Sequence, residues 1–308
     1  MEQCLTMKNK VTIILFTIII FLFTSPLSRA EHLSIKLSFN STSIGEGDIN
    51  SWINSYNSLW NDWKQLVGGE LEGEFIPLSY GSSYEVELRI PVFEGLALNM
   101  GLCNSFADIQ EGSISFQNTD STQTESQFIK NKVSAFPLKI GFSYAYALPF
   151  FPRTKIFAGI GRHIAFIQYQ SWDNYNYSKS SFGKEYSYWY EKENKYSSEA
   201  LGFYTSFGAE FDIIKNIAVV VEAEKTWSKA DGFKGSNSYI GLLGPDEFQE
   251  SGKATLYYYN SDPFSIGNNY STLAGHTDRP DDLSITGIRQ GEIDFSNFSI
   301  KFGIRFKF

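Results

Sequence analysis

The sequence predicts an all-β chain, an antiparallel up-and-down transmembrane β-barrel of eight strands with a helix in its first outside loop. Three observations predict it. The ordered stretches alternate apolar and polar residues with a period of two. The connections between them alternate short and long. The polar faces of the strands carry many ionic side chains.

The first element is an export signal. Lys8 and Lys10 precede the apolar run from Val11 to Phe23, and Ser28-Arg29-Ala30 places small residues at a cleavage site, so 1–30 reads as a signal peptide and 31–308 as the barrel domain. The run is shorter than the roughly 20 apolar residues a spanning helix needs. Cleavage removes Cys4 and leaves Cys103 as the one cysteine, so no internal disulfide staples the fold. Setting aside Lys8, Lys10, Arg29 and Glu2 takes the totals of 26 basic and 34 acidic residues to 23 and 33, a formal charge of −10. Such a surplus argues against a nucleic-acid partner.

Both ends of the mature chain are strands. Leu33, Ile35, Leu37 and Phe39 alternate with Ser34, Lys36 and Ser38. At the far end Phe298, Ile300, Phe302, Ile304, Phe306 and Phe308 share a face opposite Ser299, Lys301, Gly303, Arg305 and Lys307. Six more strands read at about 83–93, 96–105, 133–148, 155–170, 198–213 and 217–229. Pro91 and Pro137 each remove a ladder donor, which places them at a rim or a bulge. In 157–166 the pattern does not settle which face is apolar, and a bulge near Arg162 is one reading.

The turns at 93–95, 149–153 and 214–216 are short, whereas 41–82, 106–132, 171–197 and 230–292 are long. In a barrel with both termini on one side, this alternation puts the tight turns on the periplasmic side and the long loops outside. The polar faces decide between a soluble sandwich and a membrane barrel. Lys36, Arg89, Lys139, Lys301, Arg305 and Lys307 stand with Glu85, Glu87, Glu210, Glu222 and Glu224 opposite apolar rows. Eight strands make a lumen just wide enough for side chains to fill, so near balance of sign predicts a paired interior network rather than an open pore. Gly141, Gly202, Gly208 and Gly303 on the same faces would ease packing there.

Residues 31–308 thus resemble the small eight-stranded outer-membrane barrels of the OmpA-transmembrane, OmpX and OmpW type. The turn-separated strand pairs, Phe157-Ala-Gly-Ile-Gly161 after a Pro-containing turn, and the terminal strand closing on Phe308 carry the resemblance. It implies a bacterial outer-membrane location, contact with outer-membrane lipid, and Phe308 as the residue read by the barrel-assembly machinery. Unlike the wall-anchored members, the chain is expected to carry no periplasmic domain after Phe308.

The first loop predicts a helix, with Ile49, Trp52, Ile53, Tyr56, Leu59, Trp60, Trp63, Leu66 and Val67 at helical spacing, Asp48 as N-cap and Gly68-Gly69 as the stop. It is expected to dock on the neighbouring loops as a lid. The third loop is crowded with aromatics, of which Trp172, Tyr186, Tyr188, Trp189 and Tyr190 are candidates for contact with an extracellular protein or glycan, set against a plain interfacial role. In the fourth, 238–241 and 254–259 read either as an outside hairpin or as two further barrel strands.

Catalytic and metal chemistry are not visible. His32, His163 and His276 have no defensible nucleophile partner, and the acidic residues Asp246, Glu247, Glu250, Asp281 and Asp282 lack calcium-loop spacing. No cofactor motif occurs. The expectation is a non-enzymatic, closed barrel whose loops form a surface-interaction layer. The alternative is a passive, porin-like channel for ions or small hydrophobic solutes.

Overall fold

The computed structural model describes residues 33–43, 47–78, 80–103, 106–181, 184–243, 246–263, 268–282 and 284–308. The expected signal peptide and His32 lie outside them. Fifteen strands form one sheet: β1 (Ser34–Ser43), β2 (Gly69–Glu74), β3 (Tyr80–Phe93), β4 (Leu96–Cys103), β5 (Phe106–Asn118), β6 (Gln123–Ala147), β7 (Thr154–Ser181), β8 (Lys184–Ile214), β9 (Ile217–Ala230), β10 (Lys234–Leu243), β11 (Asp246–Ser261), β12 (Tyr270–His276), β13 (Ile285–Gln290), β14 (Ile293–Asp294) and β15 (Asn297–Lys307). One helix, α1 (Asp48–Val67), follows β1.

The pairing closes on itself. β1 pairs with β15 and β3, β3 with β4, β4 with β6, β6 with β7, β7 with β8, β8 with β9, and β9 with β15. Every pair is antiparallel, and a closed ring leaves no unpaired edge. The expected total of eight strands is therefore corrected to fifteen. Seven lie off this ring, six of them within segments expected to be loops and β14 just past the last of these.

The reason lies in strand length. β6, β7 and β8 run 25, 28 and 31 residues, against the roughly 9 to 11 that cross a membrane, so their outer halves continue past the ring. The segment 171–197 is not a loop but the outer ends of β7 and β8. Within 106–132, β5 pairs with the outer half of β6, and β2 adds to β5. Within 230–292, β10 pairs with the outer half of β8, and β11 carries β12 and β13. The stretches 238–241 and 254–259 thus belong to an outside hairpin and not to the ring.

Two register shifts interrupt the ring, at Pro91/Phe93 and at Asp212/Ile214, both beside short turns. The bulge near Arg162 does not occur, since β7 runs in unbroken register against both neighbours. Pro137 sits where the partner of β6 changes from β4, at Leu102↔Leu138, to β5, at Phe106↔Ala135. A missing donor is tolerated at such a break.

Helix α1 follows the predicted stripe, with Ile49, Ile53 and Trp60 buried, but its cap is corrected. Gly47 is the N-cap and makes no side-chain cap bond; Asp48 is the first helical residue. Its carboxylate instead accepts from Arg289 at 2.5 and 2.6 Å and from the backbone N–H of Glu292 at 2.6 Å. Gly68, at φ 74, ends the helix in a conformation that suits glycine. Two asparagines two turns apart fix the polar side. Asn50 bonds both the N–H and C=O of Leu78, at 2.8 and 2.7 Å, and Asn57 does the same for Phe75 at 2.9 and 2.8 Å. Each side-chain amide thereby satisfies a buried peptide as a neighbouring strand would.

Candidate functional site: a sealed lumen and an outer head

Parity along β6 and its ladder fixes which side chains face inward. Lys139, Gly141, Ser143 and Ala145 stand opposite His163, Gly161, Gly159 and Phe157 of β7, which in turn face Gly202, Tyr204, Ser206 and Gly208 of β8. Lys139, His163 and Tyr204 are drawn into the interior, while Phe142, Ile160 and Phe207 on the other parity are 51–62% exposed. The glycines make room. A Cβ on Gly141 would lie 2.6 Å from the Gly161 backbone and 2.7 Å from the Tyr204 hydroxyl, and one on Gly208 would lie 2.5 Å from the Phe157 ring.

The expected charge residues meet in two linked groups. In the outer one, Lys36 reaches Glu222 at 2.5 Å and Glu87 at 2.9 Å, while Lys139 and Lys301 both reach Glu85 at 2.9 Å and Glu224 at 2.5 and 2.6 Å. In the inner one, Arg305 joins Glu210 at 2.6 Å to Glu87 at 2.8 Å, and Lys307 joins Glu210 to Asp212. Arg89 on β3 lies 3.7 Å from Glu210 on β8, although these strands are opposite members of the ring. Contact between opposite walls means that side chains fill the bore at this level. Cys103 donates to Glu85 at 3.2 Å, a partner the sequence did not suggest.

Beside the outer charge group lies a cavity of about 50 Å³, lined by Asn40, Ser83, Lys139, His163, Glu224 and Thr226 among others. That is room for a few water molecules. Asn40 Oδ1 and His163 Nδ1, both buried, face it without a protein partner.

Farther out along the same strands the chemistry changes. The inward positions of β6 bring in Ala135, Val133 and Ile129, those of β7 Ala165, Ile167 and Tyr169, and these join Ile53, Trp60, Ala200, Phe233, Leu256, Leu273 and Phe295 in one apolar core, with the buried Asn131, Gln127 and Glu125 of β6 interleaved on the same inward row. The outward positions turn polar at the same level: Ser134, Lys132 and Lys130 on β6, Gln168 and Gln170 on β7, and Glu199, Ser197 and Lys195 on β8. Helix α1 seals this head. Trp63 donates to Glu125 at 3.1 Å, and Ser55 accepts from the backbone of Ser271 at 2.7 Å.

The head also holds a ladder of rings: Tyr177, Tyr188, Tyr175, Tyr190, Tyr239 and Phe248 succeed one another at centroid distances of 4.8 to 5.5 Å. Burial pushes the Tyr175 phenol up from its ordinary value, and its bond to Glu125 at 2.5 Å adds to the shift. Burial likewise raises Tyr190 and Asp173, while it lowers Lys192. Gln127 donates to Asp173 at 2.7 Å.

The five candidate aromatics do not form one patch. Tyr188 and Tyr190 belong to the ladder. Trp172 faces outward, its indole donating to Glu193 at 3.0 Å, and Tyr186 is exposed near the start of β8. Trp189 joins Tyr177 and Tyr188 with Glu70, Glu72, Glu125 and Glu185 around a groove of about 550 Å³. The glutamates of β2 entered no sequence reading because β2 itself was taken for loop.

On the outside of the ring, positions 136 to 146 of β6 are Phe136, Leu138, Ile140, Phe142, Tyr144 and Tyr146. At about 3.3 Å per residue and a tilt of about 40°, that apolar band is about 25 Å tall. On β7 the band comprises Ile156, Ala158, Ile160, Ile164 and Phe166, interrupted by one exposed cation, Arg162. Among the described residues Arg162 has no hydrogen-bond or ion-pair partner.

No family model and no curated protein matches the sequence. Solved structures to which the chain is similar include a major outer membrane protein from Thermus thermophilus, with 10% identity over 89% of this chain and 99% of that chain at a TM-score of 0.28. They also include a FadL homologue from Pseudomonas aeruginosa, at 7% identity over 90% of each chain and a TM-score of 0.20. A third is a TodX mutant described as a monoaromatic hydrocarbon channel, at 8% identity over 93% and 94% and a TM-score of 0.17. Likenesses this loose carry no weight for the site.

Proposed function

We propose that the ring of eight strands is the transmembrane barrel of a bacterial outer-membrane protein, plugged by its own charges and carrying a rigid head for surface interaction. The observation that carries this is the inversion on β6, β7 and β8. A band about 25 Å tall is apolar outward and ionic inward, and beyond it the same strands turn mostly polar outward while their inward positions contribute to an apolar core that includes Ile129, Val133, Ala165 and Ile167. A soluble protein has no use for an apolar girdle around buried lysines and glutamates.

The reading is non-enzymatic. Its partners are outer-membrane lipid, the barrel-assembly machinery and an extracellular protein or glycan. Phe308 serves as the assembly signal, a role consistent with its place at the ring's end, where its N–H bonds Leu33 and its side chain stays exposed. The groove around Trp189 is the candidate ligand surface, since its volume falls in the usual range for ligand sites and it joins rings to carboxylates.

A passive conduit for small hydrophobic solutes is the second reading. It is favoured by the apolar interior of the head, which would receive such a solute above the charge layer. Planar-bilayer recording and dye uptake by proteoliposomes separate the two. The closed reading expects no steady conductance steps and no uptake, and either one, if abolished by tethering α1 to β12, would establish the conduit. Fractionation away from outer membranes would overturn both.

A further inference from the structure

Two outward cations in the upper part of the apolar band have no hydrogen-bond or ion-pair partner among the described residues. Arg162 on β7 pairs with Phe203 on β8, which pairs with Trp227 on β9; Lys225 lies one outward position below Trp227 and pairs with Thr205. The backbone positions of the two residues therefore stand roughly 12 Å apart, two strands across the sheet and two residues along it. The Phe203 and Trp227 rings between them are stacked at 4.7 Å. Neither Arg162 nor Lys225 has a hydrogen-bond or ion-pair partner among the described residues, whereas Lys229, the outward position beyond Trp227, is paired with Glu292 at 2.9 Å.

On the intervening strand the outward positions from Leu201 to Phe211 carry no charge, so β8 offers these cations no counter-ion. A bare guanidinium facing hydrocarbon is unfavourable and needs an anion or water. The fork of an arginine matches phosphate oxygens, and a ring pair at the same level suits the boundary between acyl chains and headgroups.

We infer that this face of β7, β8 and β9 holds the phosphate of an anionic membrane lipid between Arg162 and Lys225, an inference that rests on the barrel reading above. The phosphate is drawn to the cations, while the lipid's chains lie along the outward rows of Ile160, Phe207 and Val221.

The test uses the full mature chain in phosphatidylcholine bilayers doped with phosphatidic acid. Insertion is verified first by heat-modified migration; a wild type that never inserts overturns the barrel reading, and this inference with it. Lipids retained after mild detergent extraction are then counted by native mass spectrometry. Wild type should retain phosphatidic acid in preference to phosphatidylcholine. Arg162→Leu and Lys225→Leu should each lower that retention about fivefold, and the double variant should abolish the preference. Excess inorganic phosphate should not compete. Equal retention of both lipids by inserted wild type, or a double variant that behaves as wild type, overturns the proposal; full competition by inorganic phosphate overturns the lipid as the source. In pure phosphatidylcholine, Arg162→Leu should resist urea better than wild type, and a loss of resistance there would contradict a cation awaiting an external anion.

Discussion

The inner and outer halves of β6 present opposite chemistry on one face of one strand. Outward positions 136–146 are Phe, Leu, Ile, Phe, Tyr and Tyr, and outward positions 124–134 are Thr, Ser, Phe, Lys, Lys and Ser. The pleat does not change between them, because the ladder to β7 runs without a shift from Gln123 to Ala147. On the proposed barrel reading what changes is the medium outside, lipid below and water above, and the interior changes with it, from an ionic network to a core built largely of apolar side chains. Where lipid covers the wall the polar groups must satisfy one another inside; where water covers it, the interior can be an ordinary apolar core.

The largest way to break this comparison is to strip a charge from the lumen. Glu85 contacts Lys139 and Lys301 at 2.9 Å and Lys36 at 3.7 Å. Glu85→Gln removes one anion from the buried network and leaves Lys139 and Lys301 to share Glu224 as their close partner, which should cost about 3–5 kcal/mol in urea unfolding from lipid vesicles. A loss below about 1 kcal/mol would show that the network is more loosely held than its geometry implies.

Next comes a matched pair on the outer face of β6. Phe142→Lys should cost roughly 2–4 kcal/mol, as expected for a cation deep in the apolar band, whereas Ser126→Lys should stay within about 0.5 kcal/mol. Equal effects in the same unfolding assay would erase the distinction between the halves. The head should then respond to loss of its peptide clamps. Asn50→Ala leaves the N–H and C=O of Leu78 unpaired, a cost of about 1–3 kcal/mol that limited proteolysis within 49–67 should reveal with the ring intact.

The smallest effect concerns pH. Burial raises the folded pKa of Asp173 above its ordinary carboxylate value, with Lys192 included in that balance. A raised acid makes the folded state bind the proton more tightly, so the ionised form costs stability above the folded pKa and that cost vanishes below the unfolded value of about 3.8. Asp173→Asn should slow amide exchange in the head at neutral pH and make no difference in strong acid. Greater slowing in acid than at neutrality would reverse the assigned sign.

The ring strands were legible because their inner halves alternate cleanly, as in 298–308 and 83–93, and the ionic residues of the lumen could be read off the same alternation. The fifteen-strand sheet was not. Sequence reading ends a strand where its apolar parity fails, and on β6, β7 and β8 the parity fails at the upper edge of the apolar band while the strand continues. The same switch hid the orientation of 157–166, since Gly159, Gly161 and Ala165 look apolar yet face the interior, and Arg162 looks interior yet faces out. Helix α1 was legible from its stripe, but Asp48 was misassigned because its carboxylate serves Arg289 rather than the helix end. Nothing local in the sequence announces that Asn50 and Asn57 will each hold a distant peptide.

The inversion itself can be measured by placing a fluorophore on single cysteines along the outer face of β6 in a Cys103→Ala background and quenching it from the lipid chains. Labels at 136, 138, 140, 142, 144 and 146 should be quenched strongly and those at 124, 126, 130, 132 and 134 should not, with the change falling between 134 and 136. Uniform water exposure along all of these positions, or quenching that continues undiminished to 124, would contradict a membrane boundary at that point.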